Sequence, residues 1–453
     1  MAYDFDLACI GSGPAGQRAA VQAAKLGKKA VVIEREFVVG GVCLHTGTIP
    51  SKTFREAVLH FAQRPDARPS LEDLLDRINR VVARETEVLG HQLHRNGVML
   101  LRGHAAFRDP HTLMLETEGS VREFTAANVL IAVGTKPAPP PGVAVDREVV
   151  ATSDDVVGLK RLPRTVVVVG GGVVGMEYAS MLATLGMTVS VVDQRERVLD
   201  FVDGEIVDEL VHQMRSRNVT FRFGEAVRRL DIAEGPPRRA VTVLESGKRI
   251  VADTVLFSVG RLGATEGLNL DAAGLDADDR GRLKVDHEFR TRVPHIFAAG
   301  DVIGYPSLAA TSSEQGRLAA CHAFGITAPA LARHFPIGIY AIPEISMVGP
   351  TERELTEARI PYETGVARYR EIARGQILGD DSGLVKLLFH RDDGRLLGVH
   401  AIGTGATELI HVGQAVLALG GGLDYFLQTV FNYPTLAECY KVAALNAANK
   451  LQE

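Results

Sequence analysis

Hydrophobic positions near the N-terminus fall into two short runs with a helical stretch between them. Asp4 to Ile10 has the length of a strand, and Gly11-Ser12-Gly13-Pro14-Ala15-Gly16 follows it. An alanine-rich stretch then reaches Leu26, Gly27 stops it, and a second apolar run from Ala30 to Ile33 ends in Glu34. This order predicts a strand, a glycine loop, a helix and a second parallel strand. The pattern returns further along. Thr165 to Val169 is the apolar run, Gly170-Gly171-Gly172-Val173-Val174-Gly175 is the loop, Leu185 and Gly186 end the helix, and Val189 to Val192 lead to Asp193. Gly11 stands as far from Gly27 and Glu34 as Gly170 does from Gly186 and Asp193, so the two units match in register.

Each loop has the spacing G-x-G-x-x-G, which has a physical use at a strand-to-helix turn. The first glycine makes the turn, the second lets backbone approach a pyrophosphate, and the third lets helix and strand pack closely. The pyrophosphate then rests on the free N–H groups at the helix N-terminus. One such loop is a weak signal, but two complete units predict two bound dinucleotides. The chain is therefore expected to be α/β, with two Rossmann-like dinucleotide-binding domains.

Other elements follow from local cues. Ser70-Leu71-Glu72-Asp73 reads as a capping box, and Leu71, Leu74, Leu75, Ile78, Val81 and Val82 recur with helical period, as in a packed structural helix. Prolines clustered from Pro137 to Pro141 predict a hinge out of the first unit. From about Ala341 onward, short strands alternate with helices and no dinucleotide fingerprint occurs, which predicts a third domain.

With 453 residues the chain exceeds one hydrophobic core, and 46% hydrophobic with 23% charged residues is ordinary for a folded, water-exposed protein. A net charge of -5 without a basic run gives no footing for nucleic acid or an anionic membrane. No apolar stretch approaches the roughly 20 residues of a membrane span, and the N-terminus opens on a strand rather than a signal peptide, so a cytoplasmic location is expected. Cys9, Cys43, Cys321 and Cys439 are far apart, which argues against a disulfide scaffold or a metal site. Cys9, inside an apolar strand, reads as a small buried hydrophobe.

Beyond these physical cues, a set of motifs resembles the pyridine nucleotide-disulfide oxidoreductases over essentially the whole chain. They are the fingerprint ending at Glu34, Gly40-Gly41-Val42-Cys43 with Pro50-Ser51-Lys52, Ala132-Val133-Gly134-Thr135, the second fingerprint with Glu177, Val259-Gly260-Arg261, and Phe297-Ala298-Ala299-Gly300-Asp301. The resemblance implies FAD on the first unit, NAD(H) or NADP(H) on the second, and a C-terminal α+β dimerisation domain. It places the FAD-binding domain at residues 1–145 and 272–340, the NAD(P)-binding domain at 146–271, and the dimerisation domain at 341–453. A homodimer is implied, and larger homo-oligomers are compatible with it. In the resemblance, FAD is contacted by Gly11, Gly13, Pro14, Ala15, Gly16, Glu34, Arg35, Gly41, Val42, Cys43, Thr48, Ala105, Gly134, Thr135, Gly300, Asp301, Leu308 and Ala309. The nicotinamide nucleotide falls to the second fingerprint, with Gly170, Gly172, Val173, Val174, Gly175, Asp193, Arg195 and Arg197, and Gly260 and Arg261 complete the cofactor-binding set. Lys52 and Glu177 resemble the family's ion pair beside the flavin, and a cation there favours the anionic reduced ring.

The resemblance breaks at the thiol machinery. Disulfide reductases of the family carry Cys-x4-Cys before Pro-Ser-Lys, whereas Cys43 is followed at the second position by Thr48, whose hydroxyl cannot form a disulfide. They also carry a His-Pro-Thr with a Glu beyond it, whereas Phe431-Asn432-Tyr433-Pro434-Thr435 with Glu438 puts tyrosine in the histidine's place. A phenol, with a pKa of about 10, is a poor base at neutral pH. What remains suits hydride exchange between two nicotinamide nucleotides, and the sequence is most similar to the soluble (Si-specific) transhydrogenase branch of the family. Cys43 then packs beside the flavin, with a redox role as the rival reading. Rival functions are an NAD(P)H-dependent diaphorase or quinone reductase, and a redox-sensing flavin-binding protein. Asp193 is expected to accept from the NAD ribose, with Arg195 and Arg197 swinging in for the 2'-phosphate of NADP.

Overall fold

A computed structural model describes residues 3–63, 70–140, 142–332 and 334–452. The first unit folds as its pattern predicts. Phe5–Ile10 and Ala30–Glu34 are parallel neighbours joined by the helix Pro14–Lys25, and Met99–Arg102 and Ser120–Ile131 extend the sheet on either side. Ser120–Ile131 turns back through the antiparallel strands Thr112–Thr117 and His104–Phe107. Strand Ile296–Ala298, far along the chain, also joins Ser120–Ile131 in parallel, so the first sheet is completed only after the second unit has been built. The helix Ala309–Ala323 packs on Pro14–Lys25 so closely that a Cβ on Gly316 would sit 2.0 Å from the Ala15 carbonyl oxygen. That contact brings Gly300, Asp301, Leu308 and Ala309 beside the first glycine loop.

The second unit is a parallel sheet ordered Val219–Phe223, Thr188–Asp193, Thr165–Val169, Thr254–Phe257, Val150–Thr152. Its helix, Val173–Thr184, is almost wholly buried, so it lacks the polar face of a surface helix. A three-stranded antiparallel sheet from Val227 to Ala252 lies beside it. The chain leaves the first unit through Thr135–Pro137 and returns through Arg261–Gly263, which pair antiparallel. Of the proline cluster read as a hinge, Pro137 ends the outgoing strand, while Pro141 lies outside the described residues.

The C-terminal sheet is antiparallel, in the order Ile337–Ile339, Ile345–Val348, Leu396–Ile402, Leu384–His390, Tyr362–Arg368, with the helices Ala406–Ala418 and Glu438–Leu451 over one face. Its first strand begins just before Ala341. The capping box forms as read: Ser70 Oγ accepts from Asp73 N–H at 3.1 Å and Asp73 accepts from Ser70 N–H at 3.0 Å. It starts a helix that runs from Leu71 to Arg95 with Leu74 and Ile78 in the core. All four cysteines are unpaired, and burial pushes the Cys9 thiol far up. Among the described residues, no helix is long and apolar enough to cross a membrane.

Candidate functional site

A cavity of 870 Å³ opens along the first glycine loop and runs toward the second unit. Gly11, Gly13, Pro14 and Ala15 line one end, with Glu34 and Arg35 at the tip of the second strand. Gly41, Val42 and Cys43 come from the short helix Gly41–His45, and Thr48 and Lys52 from the helix Thr48–Ala62. Ala105, Gly134 and Thr135 form the sheet side, and Gly300, Asp301, Leu308 and Ala309 close it from the late strand and helix. Val173, Val174, Glu177 and Arg261 reach it from the side of the second unit.

The three loop glycines have separate reasons. At Gly11, φ is +105° and a Cβ would lie 2.4 Å from the Ala132 carbonyl oxygen; at Gly16 it would lie 1.9 Å from the Gly11 carbonyl oxygen. Both are places where chain meets chain. At Gly13 a Cβ would meet nothing within 4 Å, and the helix that starts there has no side-chain cap, so its first N–H groups are free toward the cavity. An anionic diphosphate satisfies such a helix end. The second loop repeats this: Gly170 is crowded by Ser258 and Gly175 by Gly170, whereas Gly172 is open and its helix is uncapped. Both loops therefore fit a dinucleotide by the same geometry.

Glu34 is 5% exposed and is partly occupied within its own unit, accepting from Ser12 N–H at 3.1 Å, Ser12 Oγ at 2.5 Å and Glu36 N–H at 2.9 Å. Asp301 has burial pushing its carboxyl above the usual range, opposed by Arg261 and Ser312. Arg261 is held at the hinge pair, where Nε donates to Thr135 Oγ1 at 2.8 Å and its fork grips Asp154 at 2.6 and 3.2 Å.

Lys52 and Glu177 come together from different units. Lys52 Nζ lies 2.7 Å from Glu177 Oε2 and 2.9 Å from Oε1, and Glu177 is 4% exposed while Lys52 is 25% exposed. Tyr340 N–H donates to Glu177 Oε1 at 2.9 Å, and the Lys52 ammonium lies 4.9 Å from the centre of the Tyr340 ring. The carboxylate is thus satisfied from two sides, leaving the ammonium facing the cavity. Cys43 has no second sulfur near it: burial pushes its thiol up, partly offset by a hydrogen bond with the Thr48 side chain and by Lys52. The thiol form is favoured. Tyr433 is 73% exposed and lies outside this cavity.

Gly16, Gly170, Gly172, Gly175, Asp193, Arg195, Arg197 and Gly260 do not line the cavity. Around the second loop, Asp193 Oδ2 accepts from Gly171 N–H at 2.6 Å, and Arg195 forks onto the same carboxylate through Nε at 3.0 Å and NH2 at 2.8 Å. Burial pushes this carboxyl up, but the Arg195 bonds and the Arg195 and Gly171 N–H groups outweigh it and hold it below the usual range. Arg197 instead reaches Asp208 at 2.6 Å and the Gly204 carbonyl oxygen at 3.1 Å. Asp193 and Arg195 are therefore hydrogen-bonded partners.

Tyr340, Ser12, Asp154 and His45 line the cavity and were not read from the pattern. Ser12 sits inside the first fingerprint, where a hydroxyl aimed at the strand-end acid was a legible signal. Tyr340 follows the first strand of the C-terminal sheet, and only the fold brings it to Lys52.

The sequence matches the family Pyridine nucleotide-disulphide oxidoreductase over residues 5–316 and its dimerisation domain over residues 335–444. Soluble pyridine nucleotide transhydrogenase from Mycobacterium tuberculosis is 51% identical over 462 residues, covering 99% of this chain and 98% of the relative. The protein of that name from Colwellia psychrerythraea is 42% identical over 464 residues, covering 99% of each. Among solved structures, LpdA from Mycobacterium tuberculosis superposes with a TM-score of 0.89 at 26% identity, covering 97% of this chain and 99% of that one. The HOCl-induced flavoprotein disulfide reductase RclA from Escherichia coli gives 0.89 at 25% identity, covering 97% and 99%. With both its nucleotide region and its dimerisation region matched, the chain belongs to the pyridine nucleotide-disulphide oxidoreductase family.

Proposed function

We propose that the protein is an FAD-dependent NAD(P)+ transhydrogenase, passing hydride between NADPH and NAD+ without a redox-active disulfide. The observation that carries this is a cavity reached by both dinucleotide units in which Cys43 faces Thr48 instead of a second sulfur. Bound FAD supplies the chemistry, taking up two electrons with a proton from one reduced nicotinamide and returning them to an oxidised one. The chain's part is to bind and orient. Gly13 and the free helix end hold the flavin's diphosphate, Glu34 its adenosine ribose, and Asp301 its ribityl chain. Lys52, fixed by Glu177 and Tyr340, places a cation where the ring gains negative charge. The full-length similarity to proteins named soluble pyridine nucleotide transhydrogenase supports this reading.

The second unit takes NADP(H) and NAD(H) in turn through Gly172, Asp193, Arg195 and Arg197, with Val173 and Val174 at the cavity wall. Si-specificity, with hydride carried on the Si face of each nicotinamide, belongs to this proposal. So does the division into an FAD-binding part on either side of an NAD(P)-binding part. A homodimer is inferred from the dimerisation-domain match, and a cytoplasmic setting from the supply of both nucleotides there. The test is a steady-state assay with NADPH and a spectrally distinct NAD+ analogue, run beside NADPH and a quinone. Faster turnover with the NAD+ analogue is expected. Turnover with the quinone alone makes the protein a quinone reductase, and failure of NADPH to bleach the flavin leaves a flavin-binding sensor.

A further inference from the structure

The segment after Asp193 folds back on the second glycine loop and is tied from outside. Val198 and Leu199 are buried, Leu199 N–H donates to the Gly171 carbonyl oxygen at 3.3 Å, and a Cβ on Gly171 would lie 2.3 Å from Val198 Cγ1. Leu199 has φ of +48°, a conformation that a branched side chain adopts only when its surroundings impose it. Asp200 comes next and is used at both ends. Its carbonyl oxygen accepts from Arg353 NH2 at 2.8 Å, and its carboxylate accepts from Arg195 NH1 at 3.2 Å. Three residues on, Asp203 caps the helix Gly204–Ser216 and accepts from Lys386 Nζ at 2.9 Å. That pair is almost fully enclosed, at 2% and 3% exposure, and Lys386 also lies 3.1 Å from Glu352 and 3.3 Å from Glu205.

Lys386 stands in the C-terminal sheet and Arg353 on the helix Glu352–Glu357, so the C-terminal domain fixes where Asp200 presents its carboxylate. Arg195 then has all three of its nitrogens engaged, two on Asp193 and one on Asp200. These bonds use three of the five guanidinium N–H groups, so a 2'-phosphate that is to take a full two-pronged grip on Arg195 competes with Asp200 for the NH1 side of the fork.

We propose that Asp200, presented by Arg353 and the Lys386–Asp203 pair, is a positioning residue for nucleotide specificity: it holds Arg195 on Asp193 and so weakens binding of the 2'-phosphate. This rests on the reading of the second unit as the nicotinamide nucleotide site. The experiment is calorimetric titration of the FAD-loaded protein with 2',5'-ADP and with 5'-AMP, neither of which reacts with flavin. An exposed ion pair of this kind changes affinity by up to about fivefold, so Asp200→Asn should tighten 2',5'-ADP by about twofold to fivefold. Binding of 5'-AMP should stay constant, and Asp200→Glu should restore the wild-type ratio. Arg353→Ala, which frees the backbone of Asp200 at an exposed position, should move the ratio in the same direction. An unchanged ratio in Asp200→Asn, or an equal change for both ligands, overturns the proposal. Failure of the wild-type protein to bind either ligand overturns the reading of the second unit itself, and the proposal with it.

Discussion

Replacing single glycines by alanine separates binding from folding in each dinucleotide loop. Gly13 has φ -66° and ψ 179°, which any residue adopts, and an added Cβ meets nothing within 4 Å. Gly13→Ala should therefore leave the fold intact, the smaller entropy of its unfolded chain, worth about 0.4 to 1 kcal/mol, offsetting the poorer fit of alanine at a helix N-cap. The same methyl stands where a diphosphate approaches the helix end. Loss of one charge-assisted hydrogen bond costs about 1.5 to 3 kcal/mol, so FAD affinity should fall roughly tenfold to a hundredfold. Gly16→Ala behaves differently, because its Cβ would be 1.9 Å from the Gly11 carbonyl oxygen and the helix must move off the strand. Overpacking of that kind costs about 1 to 3 kcal/mol or more. The assay is titration of flavin-stripped protein with FAD by flavin fluorescence, beside urea unfolding of the same preparations. Gly172→Ala serves as the matched case in the second loop, lowering NADPH affinity and sparing FAD. The reasoning is refuted if Gly13→Ala binds FAD as wild type does, or if it unfolds as readily as Gly16→Ala.

Cys43→Ser should keep most of the transhydrogenation rate, and wild-type protein should show negligible reduction of lipoamide or glutathione disulfide; robust reduction of either contradicts the account. Because burial raises the Cys43 thiol, its alkylation by iodoacetamide should stay slow through the ordinary thiol range near pH 8.5 and speed up only above it. Lys52→Met strands Glu177, 4% exposed, with only the Tyr340 N–H, and should cost about 3 kcal/mol in urea unfolding, with a more negative flavin midpoint potential in redox titration. Arg195→Ala with Arg197→Ala should weaken NADPH roughly tenfold or more and NADH much less in flavin-reduction titrations. Asp193 is held below the usual carboxylate range, so the stability it contributes is present at neutral pH and is lost only as pH falls through that depressed value. Asp193 should thus add no pH dependence of its own to the nucleotide preference between about pH 5 and about pH 8, and any change there should follow the 2'-phosphate, whose second pKa is about 6.

The two glycine units, their terminal acids and the helix capped by Ser70 were legible because each rests on local spacing. Loop glycines, apolar strands and a capping box announce themselves over a few residues, even where, as at Gly11 against Ala132 and Gly170 against Ser258, the contact that requires the glycine is distant in sequence. The Lys52–Glu177 pair could be named only through the family resemblance, since nothing local joins residues in separate units. Tyr340 has no role legible in its local pattern, because its contact with both arises only when the C-terminal sheet folds against them. The pairing of Arg195 with Asp193 was missed for a different reason. Residues two apart in sequence were read as rivals for two ligands, but Asp193 is buried and needs a counter-charge, which the adjacent guanidinium supplies. Likewise the pairing of Arg261–Gly263 with Thr135–Pro137 joins two three-residue strands far apart in sequence, which no local pattern announces.

The most direct test of the central claim is a pair of anaerobic half-reactions followed by stopped flow. Protein with bound FAD is mixed with one equivalent of NADPH, and the bleached product is then mixed with excess NAD+. The account predicts flavin reduction without a thiolate-to-flavin charge-transfer band, followed by full return of the oxidised flavin spectrum and one NADH formed for each flavin reoxidised. Flavin that bleaches with NADPH but stays reduced in NAD+, while a disulfide or a quinone reoxidises it, would contradict the account.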